Sequence, residues 1–263
     1  MMNDLNVAHR SPIQRIAVIL AVMVQIGAGF LPQLGIGEPI GERSDAVRTL
    51  ITPAGWAFAI WGPLFALSIL FAVWQALPAQ RSSDLLNRIA WPAAVALGAQ
   101  GIWSAYTQIA NLTAVSVVII LVSLAGLFIV VRNLVATQPL SVGERWFVAP
   151  AFTALAAWLT AASIVNISAT LRFYGVLQPY PNPMMATCMV LVGSAIAALA
   201  AARLRGAPLF GLVFSWALIA IHASGGQRFP TVGWAAAGGI ILVLVITLWQ
   251  LARPANRRLW LGA

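Results

Sequence analysis

The chain contains no lysine: all fifteen basic residues are arginine. That absence excludes mechanisms built on a Schiff-base lysine, a retinal photoreceptor of the rhodopsin type among them. Acids are almost as scarce. Asp4, Glu38, Glu42, Asp45, Asp84 and Glu144 are the whole set, and each lies in the N-terminal tail or in a loop between apolar runs. Proton pumps and ion-coupled carriers place carboxylates inside the membrane, so an ion-driven mechanism is not expected. The single cysteine, Cys188, offers neither a disulfide framework nor a thiol metal site. No Ser-His-Asp grouping, HExxH, phosphate-binding loop or Gly-rich dinucleotide signature occurs, so the chain is not expected to be an enzyme.

Apolar residues fill the space these leave. They make up 61% of the chain and charged residues only 8%, against about 25% charged in a soluble domain; the mean hydropathy is +0.90. The reading is an all-α polytopic membrane helix bundle in the lipid bilayer. The net charge of +9 reflects arginines gathered between apolar spans, a topology signal and not a nucleic-acid one. Residues 1–14 are polar, and the apolar run after them continues to Leu34 without a small-residue cleavage site. It is expected to remain as a first helix.

Eight spans can be drawn: Ile16–Leu34, Thr52–Leu77, Ile89–Asn111, Leu112–Val131, Trp146–Leu171, Met184–Leu204, Pro208–Ala223 and Val232–Ala252. An even number puts both termini on one side. That side carries Arg10, Arg15, Arg81, Arg88, Arg132, Arg145, Arg203, Arg205, Arg253, Arg257 and Arg258, against Arg43, Arg48, Arg172 and Arg228 on the other. The bias predicts cytoplasmic termini. Trp91, Trp146, Trp249 and Trp260 fall at span ends, where an interfacial aromatic belt is the default.

The second span organises the rest. Gly62-Pro63 interrupts it, so a break near Ala59–Pro63 is expected. Phe58, Trp61 and Phe65 follow at i, i+3, i+7 and share a face beside that break. On the third span Gln100, Ser104, Thr107, Gln108 and Asn111 form a polar stripe bordered by Trp103. Such a stripe either bonds to another helix or faces a cavity. Trp158 and Asn166, eight residues apart on the fifth span, lie on roughly one side. His222 closes the seventh span and is a candidate ligand to a haem or pigment metal.

Three of these stretches carry a family resemblance. Thr52–Trp61, the GIWSAY segment Gly101–Tyr106 and WLTAASIVN at Trp158–Asn166 resemble the second, third and fifth helices of the TspO/MBR family. These are the tryptophan-rich sensory proteins, related to the mitochondrial translocator protein. The similarity is nearer to their longer bacterial members, with TPAG-aromatic-AF-x-IWG and an ERW, here Glu144–Trp146, before the fifth helix. It covers roughly residues 14–172. It implies a five-helix core, residues 1–175, with a pocket closed by the first loop, and three additional helices in 176–263. By position, Trp61, Trp103, Trp158 and Asn166 match the family's tryptophans and asparagine. Gln100 stands where the family usually has asparagine, and the loop Gly35–Ile51 lacks aromatics.

The expectation is a protein of the bacterial cytoplasmic (inner) membrane that binds a flat, apolar ligand for sensing, handling or transport. That ligand would be a tetrapyrrole or a carotenoid- or sterol-like molecule, against Phe58, Trp61, Phe65, Gln100, Trp103, Ser104, Trp158 and Asn166. Two rival readings stand beside it. One is a structural or pigment-holding subunit of a larger membrane complex, docking through His222 and small-residue faces; the other is a transporter of a small amphipathic solute. A homodimer is compatible with any of them.

Overall fold

The structure, a computed structural model, describes residues 10–137 and 139–263. The described residues form helices α1 (Pro12–Ala28), α2 (Ile40–Ala46), α3 (Trp61–Ala76), α4 (Asp84–Ala110) and α5 (Ala114–Ala136), then α6 (Ala149–Phe173), α7 (Pro183–Arg203), α8 (Pro208–Ile221), α9 (Pro230–Leu251) and α10 (Pro254–Trp260). Each of the eight expected spans coincides with a helix. Six segments are long and apolar enough to cross a membrane: Gly55–Ala76, Ala114–Ala136, Glu144–Phe173, Pro183–Arg203, Pro208–Gly226 and Pro230–Leu251. α1 is apolar but shorter. α4 has the length, but its amide and hydroxyl side chains make it less apolar. The short helices α2 and α10 carry no apolar run of their own and were not foreseen.

Local chemistry sets the helix ends. Proline occupies the first turn of α1, α7, α8, α9 and α10, where the missing N–H is not needed. Side chains of Ser11, Ser83 and Asn182 cap α1, α4 and α7 by accepting from Ile13, Leu86 and Met185. α1 stops at Ala28, short of the expected Leu34. Pro32 has no N–H to give the Ala28 carbonyl, and the Gln108 side chain supplies one instead, at 2.8 Å. The break expected near Ala59–Pro63 is a change of helix type: Gly55–Ile60 is a 3-10 turn and α3 starts at Trp61. Pro63 therefore sits in the first turn of α3, where it costs nothing.

α6 is the central helix, buried along most of its length. It packs against α3, α5, α7 and α8; α1 lies along α4, and α9 joins α7 to α8. At Gly101 the backbones of α1 and α4 nearly touch, for a Cβ there would stand 2.7 Å from the Gln25 nitrogen. One continuous cluster of buried apolar side chains runs from Val18 to Trp260. At the arginine-rich end, Arg10 donates to the carbonyl and side chain of Gln75 (3.1 and 2.9 Å) and Arg15 to the Ala76 carbonyl, satisfying the last turn of α3. Burial, with Arg15 close by, pushes the Arg10 guanidinium down to about 10, so it stays charged at neutral pH. Trp91, Trp146 and Trp249 are exposed at span ends. Trp260 departs from that belt: it is buried and donates to the Arg205 carbonyl at 3.2 Å.

Candidate functional site

The aromatic and amide residues of the second, third and fifth spans converge, but on two chambers and not one. The larger, of about 230 Å³, is lined by Trp61 and Phe65 of α3, Gln100, Ser104 and Gln108 of α4, and Phe58. The smaller, of about 40 Å³, is lined by Phe58, Trp103, Trp158 and Asn166, with Ala217 and Ile221 of α8. Phe58 and Ile40 belong to both, so these two side chains form the partition. Phe58 sits in the 3-10 turn Gly55–Ile60, where the longer rise per residue sets it further along the axis from Trp61 than an α-helix would.

The rings interlock around the partition. Trp61 stacks on Phe65 with centroids 5.5 Å apart and meets Trp158 edge to face at 6.1 Å. Phe58 meets Trp158 edge to face at 6.4 Å, and Trp103 lies tilted against Trp61 at the same distance. These offset and edge contacts are the favoured arrangements for aromatic pairs.

Polar groups divide into the satisfied and the unsatisfied. Trp103 donates its indole N–H to Asn166 Oδ1 at 3.1 Å; Asn166 Nδ2 donates to Ser116 Oγ at 2.9 Å, and Ser116 donates on to the Thr113 carbonyl. Asn166 therefore lines the small chamber with its amide already spent on fixing the Trp103 ring. Ser104 likewise accepts from Gln108 at 3.1 Å. Gln100 differs: only 1% exposed, it has no hydrogen-bond partner among the described residues at either carboxamide atom. The indole nitrogens of Trp61 and Trp158 are buried and find no partner among those residues either. An unpaired buried donor costs roughly 1–3 kcal/mol, so each is a place where a guest molecule gains by offering an acceptor. The polar stripe of α4 serves both purposes: Gln108 and Ser104 bond within the protein, and Gln100 faces free space.

The loop after α1 covers the larger chamber through Pro32, Gln33, Pro39, Ile40 and Gly41. Arg43 and Glu38 pair at 3.2 Å beside it. Gln108 anchors it, and sequence reading gave that residue no such part: its backbone partners lie some 65 positions away, and nothing local signals them. α8 was also missed as a wall. Trp216 donates to the Ala57 carbonyl at 3.2 Å and meets Trp56 edge to face, and the Ala54 amide donates to Ala220. Its signal was present in the uniform apolarity of Pro208–Ile221, since a helix apolar on every side is usually buried.

His222 lines neither chamber. It opens the π-helical turn His222–Gly226, and its Nδ1 lies 3.2 Å from the Gly233 carbonyl, which makes that nitrogen the donor. Cys188 is exposed on α7. Among the described residues no group of three or more His, Cys, Asp or Glu could hold a metal ion.

A family model described as TSPO-like protein matches residues 12–249, through α9 and well past the stretch whose resemblance is visible by eye. No curated protein and no solved structure matches the chain.

Proposed function

The chain belongs to the TSPO-like protein family and is an integral membrane protein, and on that premise we propose that its paired chambers bind a flat, largely apolar molecule for sensing or handling. A tetrapyrrole, carotenoid- or sterol-like ligand is the class in view. The supporting observation is Gln100: a carboxamide buried in an aromatic-lined chamber with both polar atoms unpartnered. Trp61 and Phe65 offer faces for stacking. Gln100 and the indole N–H groups of Trp61 and Trp158 offer directional contacts, as in sites that are mostly apolar with a few placed polar groups.

The charge pattern narrows the class. Among the described residues no acid or cation lines either chamber. Arg43, beside the larger one, is engaged by Glu38 and by the Gln108 carbonyl. The favoured guest therefore carries neutral acceptors, carbonyl, hydroxyl or ring nitrogen, and keeps any carboxylate at the loop edge.

The test is titration of purified protein with protoporphyrin and, separately, a carotenoid, following tryptophan fluorescence. Saturable quenching that weakens in Trp61→Leu and Gln100→Leu is expected. Quenching that is linear in ligand, or identical in both variants, overturns the reading. Flux in reconstituted vesicles separates a transport role from a sensing one.

A further inference from the structure

At the opposite end of α6 and α8 lies a third cavity, of about 260 Å³, distinct from the paired chambers. Apolar side chains make up most of its wall: Ala149 and Pro150 of α6, Leu209 of α8, and Trp260 of α10. The polar atoms among its lining residues are mostly spoken for. Thr153 donates to the Ala149 carbonyl at 2.7 Å, and Trp260 to Arg205. Arg145 is the exception in charge. Its guanidinium touches the carbonyls of Leu140 (3.1 Å), Leu259 and Arg258 (both 3.4 Å), all of them neutral. Among the described residues no carboxylate lies within ion-pairing distance of it. The neighbouring Glu144 turns away to accept from the Ser141 amide at 2.8 Å.

A half-buried cation without a counter-charge, at the mouth of an apolar slot, is matched by an amphiphile with an anionic head. The surroundings add to this. Trp146, 67% exposed, stands beside Arg145 as an interfacial aromatic does. The segments that touch Arg145 and Trp260 bring Arg205, Arg257 and Arg258 to the same edge. α8 begins at the cavity without a side-chain cap, and its second residue, Leu209, lines the wall. We propose that this cleft seats an anionic phospholipid, its phosphate on Arg145 and an acyl chain between the starts of α6 and α8. The lipid fastens α10 to the bundle by bridging the helices that meet there.

The test is native mass spectrometry of the full-length protein titrated with phosphatidylglycerol, with phosphatidylcholine as the zwitterionic comparison. Wild type is expected to retain phosphatidylglycerol preferentially. Arg145→Gln should bind it about fivefold more weakly, the loss expected for one arginine at an anionic surface, while Arg145→Lys should keep most of the preference. Leu209→Trp fills the slot and leaves the cation in place, so it should lose lipid too, and it decides the matter should Arg145→Gln fail to fold. Arg132→Gln, on an exposed arginine outside the cavity, should bind as wild type. Equal retention of the two lipids, wild-type retention by both Arg145→Gln and Leu209→Trp, or displacement of the lipid by inorganic phosphate alone would overturn the proposal.

Discussion

The Arg43 guanidinium forks onto the main-chain carbonyl of Gln108, with Nε and Nη2 each 3.0 Å from the oxygen, and the Glu38 amide donates to the same atom at 3.0 Å. The Gln108 side chain reaches the other way, to the Ala28 carbonyl at 2.8 Å. One residue thus ties together the end of α1, the end of α4 and the loop that roofs the larger chamber.

Arg43→Gln removes the fork and the ion pair together. Hydrogen bonds from a charged donor are worth about 1.5–3 kcal/mol, and the partly exposed ion pair adds little. The thermal midpoint should fall, and deuterium uptake across residues 35–46 should rise more than in any span. Unchanged exchange in that loop would mean that something else holds it.

Gly37 has φ +74°, and a Cβ there would stand 2.5 Å from the Gln108 oxygen. Gly37→Ala should therefore cost more than the roughly 1–2 kcal/mol of left-handed strain alone. Its effect on thermal stability should exceed that of Gly41→Ala, where a Cβ meets nothing within 4 Å.

Gln100→Leu should act with opposite signs on stability and on binding. Removing an unpaired buried amide relieves its desolvation penalty, about 1 kcal/mol or more, so the ligand-free protein should melt no lower than wild type. The affinity for an acceptor-bearing ligand should drop by about tenfold, as expected for one lost hydrogen bond. A loss of stability without a loss of affinity would make Gln100 a packing residue.

Asn166→Leu strips the acceptor from Trp103 and the donor from Ser116. Hydrogen bonds between membrane helices average about 0.6 kcal/mol and reach about 1.7, so a modest fall in stability is expected. A change in Trp103 emission, isolated by comparison with Trp103→Phe, should accompany it.

Deleting residues 176–263 tests whether the first five spans stand alone. Ala217, Ile221 and Trp216 would be lost from the wall and from the 3-10 turn. The shortened chain is expected to purify poorly or to lose the aromatic-wall quenching; a monodisperse, ligand-competent fragment would refute this.

The bundle was legible because membrane helices advertise themselves locally. Apolar length, arginine placement and proline at helix starts are all short-range signals, and they located the eight helices to within a few residues at most ends, six of these long and apolar enough to cross a membrane. The end of α1 was misplaced because Pro32 acts through a carbonyl that Gln108 claims from 80 residues away. Helical spacing showed which face of its own span each of Trp61, Trp103, Trp158 and Gln100 occupies, while their gathering was implied only by the family resemblance. The partition was not, since it depends on Phe58 meeting Trp158 from a helix a hundred residues further on, and on a 3-10 turn that apolar spacing does not mark. The spent amide of Asn166 was equally hidden, because its partner Ser116 sits on a span whose composition marks it only as lipid-facing.

Phe58 has a consequence for how occupancy is sensed. On the proposed reading, a guest too long for one room has to swing that ring aside, and the ring meets Trp158 edge to face at 6.4 Å. Trp158 emission should then stay unchanged for short guests and change for those that cross the threshold, giving a readout of molecular length from a single indole.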